Sequence, residues 1–362
     1  MSEVLVRVGT LHYTVEVESG LLAQVGDRLL GLVRAPRLAV VITDKNVARF
    51  HLRPVVASLR TCGFMPHSIV LPAGESLKSL KNAARLYDLL LAEGADRQTP
   101  IVALGGGVVG DLAGFVASTW LRGVPLVQVP TSLIGQVDSS VGGKVGVNHP
   151  RGKNMIGAFY HPRAVLADPA VLSTLPRREL VSGMAEVVKC GVIRHEGFFH
   201  FVERNVEKFY ALDRFVTEEV IATCVSVKAE IVEKDEREDG IRAILNYGHT
   251  VGHALETIGA YRRFRHGEAI AIGMSCAARV ALHLGLADAE LVESQDHLLA
   301  RLGLPTAVRG VRANAVLSTM RTDKKRRAGK VRMILPTQIG RVQIVDDVDP
   351  SALRSALSEV LK

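Results

Sequence analysis

A short apolar run that leads directly into a glycine-rich turn restricts the fold of this chain more than any other feature. Residues 101–104 read IVAL, and residues 105–111 read GGGVVGD before a helix-forming stretch. The turn has the spacing G-x-G-x-x-G between a strand and a helix, where glycine lets the backbone approach a diphosphate. The N-terminus of the next helix adds free N–H groups. The pattern predicts a dinucleotide site, and a tight structural turn is the alternative interpretation.

The same alternation of strand and helix continues through the first half of the chain. Strand-like runs occur at 38–43, 68–71 and 101–104, and helical patterns lie between them. Such alternation indicates an open α/β sheet with parallel strands. After Leu175 amphipathic helical patterns take over, so we place a domain boundary near Pro176.

The turn departs from the usual dinucleotide fingerprint in one respect. An acidic residue is expected about twenty positions after the glycines, but residues 125–130 read PLVQVP. Asp44, at the end of an earlier strand, is therefore the candidate to hold a ribose. Lys144, Lys153 and Asn154 lie among glycines farther along, which is typical of an anion-binding loop.

Charge and composition exclude several classes of function. The net charge is +8, but the basic residues stand singly among glycines, without the basic run and aromatics expected of a nucleic-acid site. Small anions are the expected ligands, and no nucleic-acid partner is expected. The longest apolar runs are strand-length, so no membrane span is expected. Four scattered cysteines without a CxxC pair and the lack of a signal peptide indicate a cytoplasmic protein.

A histidine-rich stretch indicates a metal site. His249 and His253 are four residues apart and leave one face of a helix, Glu256 extends that face, and His266 follows shortly. A polar helix face with hydrogen-bonded histidines is the alternative. Thr250 stands where the HExxH helix of metallopeptidases has its catalytic glutamate, so a peptidase is not expected.

Three clusters of charged residues, each taken alone, are typical of surface features. Glu186 and Lys189, at i and i+3, are typical of a surface ion pair. Residues 235–239 (DERED) are expected to form a solvated turn, and residues 324–327 a basic loop.

Taken together, the motifs resemble one family. The segments are GGGVVGDLAGFVAS, RGVPLVQVPTSLIGQVDSSVGGKVGVN, GKNMIGAF, GMAEVVKCGVI, LNYGHTVGHALE and HGEAIAIGM. In this order they resemble the 3-dehydroquinate synthases, which belong to the sugar-phosphate cyclases. Departures are few: Ser132 stands where the family usually has threonine, and Cys190 where a larger residue is common.

The resemblance implies a fold and a metal centre. It implies an α/β N-terminal Rossmann-like NAD-binding domain over residues 1–175 and an all-α C-terminal metal-binding domain over residues 176–362, with the active site in the cleft between them. The implied zinc ligands are Glu186, His249 and His266. They leave an open coordination position, as in catalytic zinc sites, and they also suit cobalt. His253 then becomes a substrate contact or a neighbour of the ligands.

The resemblance also implies the residues that hold NAD and substrate. For NAD they are Asp44, Ala73, Gly74, Glu75, Ser76, Leu77, Lys78, Gly107, Val108, Val109, Gly110, Asp111, Thr131, Ser132, Lys144, Lys153, Val171, Leu172, Ser173 and Thr174. For substrate they are Asp138, Lys144, Asn154, Lys189, Lys228, Glu238, Arg242, Asn246 and His253. Arg122 is expected to reach a neighbouring subunit's site, which implies a homodimer. Either Lys324 or Lys325 belongs to the phosphate pocket.

The implied activity is conversion of 3-deoxy-D-arabino-heptulosonate 7-phosphate to 3-dehydroquinate and phosphate, with NAD recycled within each turnover. Lys228 and Arg242 suit the substrate carboxylate. Two other enzyme classes stay open: another cyclase, such as 2-deoxy-scyllo-inosose synthase or a sedoheptulose-phosphate cyclase, and a metal-dependent NAD dehydrogenase of the glycerol-dehydrogenase type. A metabolite-binding protein without activity is the third alternative.

Overall fold

The computed structural model describes residues 2–33, 38–322 and 331–362 and divides the chain into two compact units. The first unit contains Met1–Leu175 and Leu212–Glu233, and the second contains Pro176–Ala211 and Lys234–Lys362. The first stretch ends at Leu175, and Leu212–Glu233 returns to the first unit. Its side chains bond there: Glu218 Oε1 accepts from Ser19 N at 3.0 Å, and Glu233 Oε1 from Arg7 N at 2.9 Å.

The strands of the first unit form a mixed, mainly parallel sheet. Among the described residues, seven strands pair in the order β1-β2-β9-β6-β5-β3-β4, with β1 antiparallel to β2 and the other pairs parallel. A separate hairpin pairs β7 with β8. The strands are β1 (Ser2–Val8), β2 (Leu11–Val17), β3 (Leu38–Asp44), β4 (Met65–Leu71), β5 (Ile101–Gly105), β6 (Leu126–Pro130), β7 (Lys144–His149), β8 (Gly152–Phe159) and β9 (Ala164–Ala167).

Helices cover both faces of this sheet, which explains the continuous apolar strands. Val40 and Ile42 of β3 pack on one side, in a core with α4 and α5, whereas Ala39 and Val41 pack on the other, in a core with α1 and α3. The helices of the first unit are α1 (Val25–Leu30), α2 (Lys45–Val47), α3 (Arg53–Thr61), α4 (Leu80–Ala92), α5 (Gly107–Thr119) and α9 (Arg214–Lys234). The predicted α/β class of this unit is confirmed.

The second unit is rich in helix. Its helices are α6 (Arg177–Arg194), α7 (Glu196–Arg204), α8 (Val206–Tyr210), α10 (His249–Ile258), α11 (His266–His283), α12 (Ala289–Arg301), α13 (Ala313–Thr322) and α14 (Pro350–Val360). It also contains an antiparallel hairpin of β10 (Met333–Gln338) and β11 (Arg341–Val345), which the all-α expectation did not include. No helix in the described ranges is long and apolar enough to cross a membrane.

Candidate dinucleotide site and metal centre

The residues expected to bind NAD follow the carboxyl ends of the parallel strands. Asp44 ends β3, the loop with Lys78 follows β4, the glycine turn follows β5, and Thr131 follows β6. The short helix Pro169–Thr174 follows β9. Because carboxyl ends of parallel strands share one edge of the sheet, these segments lie along one edge of the first unit.

The glycine turn and Asp44 flank the point where the strand order reverses. Strand β3 pairs with β4 on one side and β5 on the other, and the chain then continues through β6 to β9. Open α/β sheets bind ligands at such a position. There α5 begins after Gly106, and the Asp44 carboxylate accepts from Asn46 N at 2.7 Å and Val47 N at 3.2 Å. A dinucleotide site is expected at this position, where the Asp44 carboxylate caps the start of α2.

A buried lysine joins the glycine turn to the β7–β8 hairpin. Lys78 Nζ lies 2.5 Å from Asp111 Oδ2 and 2.5 Å from Asn154 Oδ1. Burial raises the pKa of Asp111 above its usual range, although the Lys78 ammonium acts in the opposite direction. Asn154, expected to contact substrate, has φ 51° and is held by Lys78. Lys153 lies beside the same loop, with Nζ 3.8 Å from Glu75 Oε1.

Two residues expected to bind substrate meet within the first unit. Lys228 of α9 donates from Nζ to Asp138 Oδ1 at 2.7 Å and to the Asp138 carbonyl at 2.6 Å. Lys228 is buried, so its charge requires this partner. The sequence placed Lys228 in the second domain, whereas the structure brings it to the first.

The three predicted metal ligands meet in the second unit. Glu186 lies in the middle of α6, His249 is the first residue of α10, and His266 is the first residue of α11. One ligand atom from each lies within 4.8 Å of the others. Glu186 Oε1 is 3.6 Å from His249 Nε2 and 3.3 Å from His266 Nε2.

Two glycines of α11 allow these helices to approach. A Cβ on Gly267 would overlap the backbone carbonyl of Ser182 in α6, and one on Gly273 would overlap the carbonyl of Gly248, just before α10. Gly267 N also donates to Ser182 Oγ at 2.9 Å. The close contacts bring the start of α11 against α6 and the middle of α11 against the residue before α10, so the three ligands lie near one another.

The side chains around Glu186 fit a divalent cation. Burial would raise the pKa of Glu186, but Lys189 and the two imidazoles outweigh it and hold that pKa well below its usual range. Burial lowers the pKa of His249 well below its usual value, against the opposing effect of Glu186. Burial also disfavours charged His266, but Glu186 and Glu256 outweigh it and raise its pKa to about 10. One carboxylate and two ring nitrogens are a donor set typical of zinc.

Two interpretations of the sequence need correction here. Glu186 and Lys189 are 1% and 2% exposed, so they form a buried contact, not a surface ion pair. His253 lies outside the three-residue cluster, although spacing alone suggested it as a ligand. Its ring centroid is 5.2 Å from that of His249 and 6.4 Å from that of His266.

The acidic segment after α9 is a partly exposed loop that backbone hydrogen bonds hold in place. Asp235 accepts from the backbone N–H groups of Asp239, Gly240 and Arg242 at 2.8–3.0 Å. Partial burial acts to raise the pKa of Asp235, but these hydrogen bonds hold it below its usual range. Asp235 was not among the residues expected at the site, although an aspartate followed by a glycine after a helix signals such a turn.

The Asp235 loop positions three residues expected to bind substrate. Arg242 is 2% exposed, and its guanidinium donates to the Glu236 carbonyl. Glu238 has φ 66° and accepts a hydrogen bond from Asn246. Arg122, in the first unit, lies on an exposed turn with φ 67°. Lys324 and Lys325 lie outside the described residues.

Comparison with known proteins matches this chain to one family. The family model for the 3-dehydroquinate synthase N-terminal region matches residues 68–182, and the model for the C-terminal region matches residues 183–326. The chain is 47% identical over 360 residues to a 3-dehydroquinate synthase of Desulforamulus reducens, covering 99% of this chain and 100% of the relative.

Two solved structures have the same fold. The 2-epi-5-epi-valiolone synthase of Streptomyces hygroscopicus, with NAD⁺ and Zn²⁺ bound, has a TM-score of 0.89 and 27% identity, covering 98% of both chains. A 2-deoxy-scyllo-inosose synthase with carbaglucose-6-phosphate, NAD⁺ and Co²⁺ gives the same score and identity, covering 99% of this chain and 100% of the other.

Proposed function

Because the chain belongs to the 3-dehydroquinate synthase family, we propose that it converts 3-deoxy-D-arabino-heptulosonate 7-phosphate to 3-dehydroquinate and phosphate. This is the second step of the shikimate pathway, and the enzyme is a lyase. The observation that carries the proposal is the clustering of Glu186, His249 and His266 in a chain 47% identical, over nearly its full length, to a relative of that name.

Glu186, His249 and His266 would hold zinc or cobalt. When bound, the metal would polarise vicinal substrate hydroxyls and acidify the one to be oxidised. Two buried charged side chains, Lys189 and Glu256, contact members of the cluster, Glu186 and His266 respectively. The cyclases with solved structures carry Zn²⁺ or Co²⁺, which supports either metal.

The sheet edge of the first unit would hold NAD, which supplies a hydride acceptor that returns the hydride in the same turnover. Asp44 would bind a ribose, and the start of α5 at Gly107 would bind the diphosphate. Lys78 orders this edge, because it holds Asp111 of α5 and Asn154 of β8 together.

Other cyclases and a simple dehydrogenase are the competing activities. The chain is 47% identical to a dehydroquinate synthase but only 27% identical to the two other cyclases. Buried Arg242 further supports a substrate with a carboxylate, since its guanidinium offers two parallel donors. The test compares heptulosonate phosphate with sugar phosphates that lack a carboxylate. Turnover of the heptulosonate phosphate alone is expected, and preference for the others would assign another cyclase.

Replacing Arg242 tests the carboxylate contact. Arg242→Ala is expected to lower kcat/KM roughly 30-fold to 900-fold, because a charged hydrogen-bonding partner of the substrate is lost. This corresponds to a loss of about 2–4 kcal/mol of transition-state stabilisation. Arg242→Lys keeps the charge without the planar fork and should recover only part of the loss. Steady-state kinetics measure both values, and near-unchanged kinetics for the alanine variant would remove Arg242 from the site.

Replacing His253 separates substrate contact from metal binding. His253→Ala is expected to retain its metal, because the side chain lies outside the ligand cluster, and to lose most of its activity. Metal analysis of the purified protein and phosphate release measure the two effects. Loss of the metal together with the activity would return His253 to the ligand set.

We also propose a homodimer in which exposed Arg122 reaches the neighbouring subunit. The successive left-handed residues Leu121 and Arg122, with φ 48° and 67°, and the following Gly123 support a fixed turn that presents this side chain. Sedimentation measures the oligomeric state. The cytoplasmic location and the substrate contacts of Asp138, Lys144 and Lys228 stay predictions.

A further inference from the structure

The two histidines of the metal cluster are oriented in the same way. His249 directs Nε2 towards Glu186, and its Nδ1 lies 3.0 Å from the backbone carbonyl of Tyr247. His266 also directs Nε2 towards Glu186, and its Nδ1 lies 3.5 Å from Glu256 Oε1. Each ring therefore has an acceptor on the side away from the cluster, a backbone oxygen for one and a carboxylate for the other.

Glu256 is placed for this contact by the fold. It lies on α10 and is only 6% exposed, which is unusual for a glutamate and requires polar partners. The chain then reverses through Ala260 and Tyr261, with φ 48° and 55°, and Tyr261 N donates to the Glu256 carbonyl at 2.8 Å. This turn returns the chain to the start of α11, where His266 faces the carboxylate.

We propose that Glu256 is a positioning residue for the metal centre: its carboxylate accepts the Nδ1–H of His266 and thereby directs the lone pair of Nε2 to the metal. The inference rests on the proposed function, because it requires His266 to be a ligand. A carboxylate behind a histidine ligand fixes its tautomer and ring orientation and makes the ligand nitrogen more basic. The backbone carbonyl of Tyr247 performs the same task for His249, without a negative charge.

A simple ion pair between α10 and α11 is the competing explanation. It predicts that removing Glu256 lowers the stability of the fold but leaves the affinity for metal unchanged. The positioning role predicts weaker metal binding in a folded protein. Metal affinity, measured separately from stability and activity, therefore distinguishes the two.

The experiment measures the dissociation constant of Zn²⁺ by competition with a chromogenic chelator, for Glu256→Gln and Glu256→Ala in the full chain. Hydrogen-bond partners of metal-binding histidines contribute about 10-fold to 100-fold to metal affinity. We expect Glu256→Ala to approach the upper value and Glu256→Gln the lower, since glutamine retains an acceptor oxygen without the charge. The visible spectrum of the Co²⁺-loaded variants should change, because the ligand geometry changes.

Glu268→Gln is the matched control. Glu268 lies in the first turn of α11, as His266 does, but its carboxylate accepts from Arg178 at 2.6 and 2.8 Å and from Arg265 N at 2.9 Å. Its replacement should lower the melting temperature, because these hydrogen bonds are lost. The Zn²⁺ dissociation constant should stay within about two-fold of that of the unmodified protein, because a histidine ligand is positioned by its own hydrogen-bond partner, and the Glu268 carboxylate binds Arg178 and Arg265 instead. If Glu268→Gln weakens metal binding as much as Glu256→Gln does, general loosening of α11 explains the effect and the proposal is overturned.

The ligand variant His249→Ala separates this proposal from the proposed function. If His249→Ala loses the metal while folded Glu256→Ala binds it as tightly as the unmodified protein, the role of Glu256 is wrong and the metal site stands. If His249→Ala binds the metal normally, the ligand set is wrong, and the role of Glu256 falls with it.

Discussion

Glu186→Gln is expected to purify without bound metal and to lose turnover by more than about a thousand-fold, because metal activation of a substrate hydroxyl contributes several kcal/mol. Glu186 is the only carboxylate in the three-residue cluster and is 1% exposed, so water cannot replace it easily. Metal content and phosphate release measure the two losses. Stoichiometric metal in the folded variant would exclude Glu186 as a ligand.

The same substitution also breaks a buried ion pair, which a second variant controls. Glu186→Gln removes the carboxylate beside the buried Lys189 ammonium, and breaking a buried ion pair costs about 3–5 kcal/mol of folding stability. The double variant Glu186→Gln/Lys189→Met removes the lysine charge as well and should recover much of the lost stability. It should not recover the metal. Recovery of the metal would mean that the single variant had lost it through unfolding alone.

Gly267→Ala is expected to damage both stability and metal binding. The added methyl group would overlap the Ser182 carbonyl, so α11 must move away from α6 and carry His266 away from Glu186. Overpacking of this kind costs about 1–3 kcal/mol or more. Thermal unfolding and chelator competition should both register the change.

Gly197→Ala provides the matched control for Gly267→Ala. Gly197 is likewise the second residue of its helix, α7, but a Cβ there would meet only His195 ring atoms at 3.6–3.7 Å. Alanine should therefore be tolerated or slightly stabilising, by up to about 1 kcal/mol. If both variants behave alike, the close approach of α6 and α11 does not hold the metal site together.

The sequence predicted the first unit well because its strands are buried on both faces. Continuous apolar runs such as that of β5, separated by amphipathic helices, leave few other folds. The position of α9 could not be predicted in the same way, because helical periodicity shows that a face is buried but not against which unit. The β10–β11 hairpin was missed: Pro336 interrupts its first strand, and that lowers the strand signal.

At the metal site, local spacing predicted the place and not the ligands. His249 and His253 share a helix face, but only His249 begins α10 opposite Glu186. Glu186 lies far away in the sequence, so family resemblance and not spacing pointed to it. The contact depends on Gly267, whose need for close packing appears only once α6 and α11 are placed.

The proposed activity can be measured by incubating the protein with 3-deoxy-D-arabino-heptulosonate 7-phosphate and a small amount of NAD⁺, while following phosphate release and NADH absorbance. We expect phosphate in large excess over NAD⁺, formation of 3-dehydroquinate, and no net NADH. A chelator should abolish phosphate release, and zinc or cobalt should restore it. Accumulation of NADH in step with substrate consumption, without release of phosphate, would contradict the proposed activity and assign a dehydrogenase.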